Sequence, residues 1–118
     1  MAARSPSLRG GCFFAAGVVL MASACASPLG GAVRAYEQGR YPEAMDELRA
    51  VEADAKRWHS AEAARYALYR GLAHLALGDH RATHHWLDRL DRAMASEPTL
   101  LAQGDAHRLA SARAHLPR

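Results

Sequence analysis

Residues 66–90 read YALYRGLAHLALGDHRATHHWLDRL. Upstream of and within its first half, Ala64, Ala67, Leu68, Gly71, Leu72 and Leu75 recur at three- and four-residue steps, the spacing that lines one side of an α-helix. Arg65 and Arg70 fall off that stripe. Gly71 sits mid-helix, where glycine costs about 1 kcal/mol against alanine, and close approach of a neighbouring helix is the expected compensation. Gly78 suits a left-handed helix end, and the Asp79 carboxylate suits the cap of the next helix. Beyond the turn, Ala82, Thr83, Trp86, Leu87, Leu90 and Met94 again share a face, with Trp86 assigned to the core. His84, Asp88, Arg89, Asp91 and Arg92 lie mostly off it. The stretch predicts two amphipathic helices folded back on each other.

A weaker copy lies upstream. Gln38-Gly39-Arg40-Tyr41 is its turn, and Pro42 suits the first turn of a helix. Ala44, Met45, Leu48, Val51 and Ala55 form the stripe that follows. Gly39 and Gly78 are 39 positions apart, which marks a repeat with a period near forty. The sequence Leu72-Ala73-His74-Leu75-Ala76-Leu77-Gly78-Asp79-His80-Arg81-Ala82 resembles the tetratricopeptide repeat (TPR) core. Tyr36-Glu37-Gln38-Gly39-Arg40-Tyr41-Pro42-Glu43-Ala44 resembles it too. Gly71 matches the small residue of the family's first helix, and Gly39 and Gly78 match its turn glycine. Tyr41 matches the aromatic after the turn, Ala44 the small residue of the second helix, and Leu48 and Leu87 its large apolar one. Arg70, His74, His80 and Thr83 depart from the pattern.

The chain has 118 residues, half of them apolar, and it lacks β-branched runs beyond Val18-Val19. The expected class is therefore all-α, and the resemblance implies antiparallel helical hairpins stacked as about two TPR-like repeats, with a C-terminal helix covering the end. Helices are expected over 32–38, 42–57, from a Ser60 cap, from Asp79, and over 99–115, with Ser96-Glu97-Pro98 as the last start. The stripe of the last helix (Leu101, Ala102, Ala106, Leu109, Ala112, Leu116) is thin. Stacked repeats generally need three or more units to bury their faces, so about two units point to help from a partner or from self-association.

Residues 1–24 read as a signal peptide. Arg4 and Arg9 precede the eleven-residue apolar run 12–22, and Ser23-Ala24 supplies small residues before Cys25. Ala22-Ser23-Ala24-Cys25 resembles a bacterial lipobox, which implies lipidation of Cys25 and a membrane anchor through it. Ordinary signal peptidase would cut at the same bond, so a soluble periplasmic or secreted protein is the alternative. Cys12 would leave with the signal, and lipidation would consume what is otherwise a lone exported thiol. With Ala26 after the cysteine, the lipoprotein resemblance implies the outer membrane, facing the periplasm. Residues 25–31 are then the lipidated cysteine and a short linker, and 32–118 the helical domain.

Without residues 1–24 the charges nearly balance and are interspersed, so no nucleic-acid partner is expected. No nucleophile elbow, phosphate loop or dinucleotide fingerprint is present, so no catalytic residue and no cofactor is assigned. Glu43 and Glu47 read as a solvated face. His80 and His84 are four apart on one helix and could chelate Zn²⁺ or Cu²⁺ given a third ligand, Asp88 or His74. That makes a periplasmic metal-binding protein the alternative reading. The TPR resemblance implies a concave surface lined by the first helix of each pair: Val33, Tyr36, Glu37, Arg65, Leu68, Leu72 and Leu75. That surface would hold a protein or peptide partner of unknown identity, and the chain would be a non-catalytic adaptor.

Overall fold

A computed structural model describes residues 27–117. The signal segment and Cys25 lie outside the described residues. Those described form six helices and no strand: α1 (Gly30–Glu37), α2 (Tyr41–Ala50), α3 (Glu52–Ala55), α4 (Ser60–Ala76), α5 (His80–Ser96) and α6 (Gln103–His115). None is long and apolar enough to cross a membrane.

Two hairpins, α1–α2 and α4–α5, carry the architecture, and α2 packs on α4. Each turns at a left-handed glycine, Gly39 at φ +77° and Gly78 at φ +85°, a conformation that costs other residues their Cβ clearance. At the second turn the Asp79 carboxylate accepts from the Ala82 N–H at 3.1 Å, and the Thr83 hydroxyl donates to the Asp79 carbonyl at 2.9 Å. Gly71 lies where α5 crosses closest: a Cβ there would stand 2.6 Å from Leu87 Cδ2. Leu68, Leu72, Leu87 and Leu90 all lie in one core cluster.

Helix α4 is the centre of the molecule, touching α1, α2, α3, α5 and α6. Every residue from Tyr66 to His74 is buried, Arg70 and Tyr69 included. A helix covered all round is expected only at the middle of a structure, so Arg70 is buried although it falls off the apolar stripe.

Four boundaries differ from the sequence reading. The folded part begins earlier, because Leu29 is already core and α1 starts at Gly30 rather than residue 32. The helix expected over 42–57 is broken at Val51 (φ −103°, ψ 7°), which turns Glu52 towards Arg70. His59, not Ser60, occupies the cap position of α4, and it makes no side-chain cap bond. Pro98 lies in a turn, not a helix: Leu101 is buried as an anchor, Ala102 is extended, and α6 starts only at Gln103.

Candidate functional site

The first helices of the two hairpins, α1 and α4, present the residues expected to line a concave face. Helix α6 packs on that face. Asp105, in its first turn, is 8 % exposed and sits between two side chains of α4. Its Oδ2 accepts from Arg65 Nε at 2.8 Å, and its Oδ1 accepts from the Tyr69 hydroxyl at 2.9 Å. One turn later, Arg108 donates to the Tyr69 oxygen and to Glu37 of α1, both at 2.7 Å. Its guanidinium also lies over the Tyr36 and Tyr69 rings, each 5.8 Å to the centroid. On the side towards α5, Arg113 pairs with Asp91.

Burial, then the bond to Asp105, pushes the Tyr69 phenol up to about 12, although Arg108 and Arg65 pull the other way. The shift is what a phenol should show when its proton is held by a carboxylate.

The expected concave residues are thus brought together but largely taken up within the chain. Val33, Leu68 and Leu72 are buried, and Arg65 and Glu37 are engaged by α6. Tyr36 meets Tyr69 edge-on, with centroids 5.6 Å apart. What stays open is a cleft of about 270 Å³ where Leu72 and Leu75 face His107 and Ser111 across from Tyr36. Asp105 and Arg108, which close this face, carry no motif that sequence reasoning could single out. Their one local signal is an acid in the first turn of a helix, which ordinarily means no more than a favourable dipole contact.

The opposite flank of α4 carries an aromatic line. Trp58, Tyr66 and Trp86 meet edge-on in sequence, at 5.9 and 5.7 Å between centroids. Arg70, 8 % exposed, lies behind them with its guanidinium 4.6 Å from the centre of the Trp86 ring. Its Nη1 donates to the Tyr66 hydroxyl at 2.8 Å and to Glu52 at 3.0 Å, while its Nε has no partner among the described residues. Two cavities open beside this line between α4 and α5. One, of about 120 Å³, is walled by Ala55, Tyr66 and Trp86, with Lys56 among its lining residues. The other, of about 310 Å³, runs along Ala64, Leu90 and Ala93 to Glu97. They share Ala63, Ala67 and Arg89, so they adjoin along the α4–α5 surface.

The histidines do not gather. His80 and His85 are exposed, and His84 is half-buried. Asp88 faces Arg113 at 3.6 Å, and His74 is buried beside Asp79 at 3.9 Å. Among the described residues no group of three or more His, Cys, Asp or Glu is placed to hold a metal ion. Burial, with help from the neighbouring Arg70 and Arg49 charges, lowers the His74 pKa against a smaller opposing pull from Asp79.

No family model matches the chain, and no curated protein or solved structure matches it significantly.

Proposed function

We propose that the protein is a non-catalytic adaptor: a small TPR-like lipoprotein, anchored through Cys25 to a bacterial envelope membrane, that holds a protein partner near the bilayer. The observation that carries this reading is the repeated hairpin, with left-handed glycines at Gly39 and Gly78 in matching positions 39 residues apart. Such a repeat serves to display surface along a rigid helical frame. The most constrained ionisable groups are spent on holding helices together, Asp105 with Arg65 and Tyr69, and Arg70 with Tyr66 and Glu52, which suits a scaffold rather than a reaction centre. The envelope assignment rests on the lipobox-like Ala22-Ser23-Ala24-Cys25. Because Leu29 is already core, only residues 26–28 separate Cys25 from the fold, at most about 14 Å from Cys25 to Leu29. The domain would therefore lie against the membrane surface.

Affinity capture from membranes, with wild type and Cys25→Ala side by side, tests this. Wild type should fractionate with membranes and retain a stoichiometric protein partner, and Cys25→Ala should move to the soluble fraction. Equal membrane association of the two proteins rules out the anchor. A wild-type protein that returns alone rules out the adaptor.

A further inference from the structure

The groove between the N-terminal half of α4 and the C-terminal half of α5 has walls of alanine, leucine and aromatic side chains. From Trp86 to Ser96 it follows about three turns of α5, roughly 15 Å. That length suits a segment of polypeptide better than a small molecule. Besides the charged side chains, its polar groups are the Ser60 and Ser96 hydroxyls and the Tyr66 hydroxyl, which Arg70 already engages. Among the described residues no strand offers an edge to pair an extended peptide's backbone, whereas a helix satisfies its own. Alanine walls also let a second helix axis approach closely.

The charges at the groove are ordered. Lys56 stands at the aromatic end and Arg89 where the two cavities meet, and neither has a carboxylate partner among the described residues. Arg89 is poised over the Trp86 ring, 5.4 Å to its centroid. The buried Arg70, on the same ring and with an unpartnered Nε, adds a third cation behind the wall. Its one carboxylate, Glu52, itself lines the groove and is half exposed, so an incoming carboxylate could take its place. At the far end stands Glu97. A helix laid in this groove is favoured with its C-terminal end, partial negative charge and any acidic side chains towards Arg89 and Lys56.

We propose that this groove, and not the face covered by α6, is the docking site for an amphipathic helix of a partner protein, seated with an acidic C-terminal turn against Arg89 and Lys56. The proposal rests on the adaptor reading and gives it a place and a polarity.

The test uses three fluorescent twelve-residue peptides with one leucine face and different ends: acidic C-terminus with basic N-terminus, the reverse, and neutral. Anisotropy with the purified full chain should rank the acidic-C-terminal peptide about tenfold tighter than its reverse. Arg89→Glu, at an exposed position, should invert that order. Ala93→Gln should weaken all three by filling the groove. Ser111→Trp, which fills the cleft beside α6, should change nothing. The proposal is overturned if none of the peptides binds, if Arg89→Glu leaves the order intact, or if Ser111→Trp abolishes binding that Ala93→Gln spares. A groove that passes while membrane capture returns no partner would leave the docking site standing and remove the adaptor.

Discussion

Gly71 shows how one missing methyl group sets a helix crossing. A Cβ at that position would meet Leu87 Cδ2 at 2.6 Å and Cγ at 3.1 Å, and Leu87 is itself fully buried, so its side chain must shift within the core. Gly71→Ala should gain about 1 kcal/mol of helix propensity and lose about 1–3 kcal/mol to overpacking, a net loss of about 1 kcal/mol. In a Leu87→Val background the terminal methyl is gone, and the same substitution should become neutral or stabilising. Urea titration of the four proteins measures the reversal; a Gly71→Ala effect of equal sign in both backgrounds would show that the close approach does not matter. This contact was legible in the sequence, because a glycine inside a strong helical stripe weakens its own helix and so marks where a neighbour must come close. Arg70 was not. An arginine off the stripe usually marks solvent, and although Tyr66 lies one turn back on the same helix, nothing local says that Trp86 and Glu52 will converge on it from two other elements.

Helix α6 depends on a small polar latch more than on its thin apolar side. Leu101 and Ala112 are buried and Ala106 and Leu109 are half-buried, while Asp105 ties the first turn to α4. Asp105→Ala would leave the Tyr69 hydroxyl without its acceptor and Arg65 without its counter-ion. Because Arg65 is about one-third exposed, water recovers part of that loss, and about 2 kcal/mol is the expected cost. The loss should be local. Native-state hydrogen exchange in α6 should speed up by about that free energy, while amides of α4 and α5 keep their protection. Uniform deprotection would instead make α6 part of the core cooperative unit. The two hairpins could be read from periodicity and turn chemistry, since both act over four to ten residues. The seat of α6 could not, because its partners are 36, 39, 40 and 71 residues away. A thin stripe tells that a helix covers something without telling which face it covers. That difference changes the candidate site, since the face implied by the TPR resemblance is the one α6 occupies.

Across the whole molecule, two buried titratable groups of α4, Tyr69 and His74, should bound the pH range of stability. His74 has a lowered pKa in the fold, so the unfolded chain takes up its proton first as pH falls below about 6.5. Stability is then full above that pH and declines through the window down to the folded-state value, as the neutral ring beside Arg70 and Arg49 becomes harder to keep. Tyr69 behaves in the opposite sense. Its phenol is pushed up to about 12 in the fold against 10.0 unfolded, so the unfolded chain releases the proton first. That contribution is complete below pH 10 and fades as pH rises from about 10 to 12. Guanidinium melts at pH 5, 8 and 11 should therefore give the highest midpoint at pH 8. His74→Gln should flatten the acid limb and leave the alkaline one. Tyr69→Phe should lower the midpoint at every pH, because Asp105 and Arg108 lose a partner, yet reduce the further fall between pH 8 and 11. An acid limb that survives His74→Gln unchanged would place the acid sensitivity elsewhere. A Tyr69→Phe protein with the full alkaline slope would mean that the Asp105–Tyr69 bond does not hold the phenolic proton, and with it that α6 is not latched where this geometry puts it.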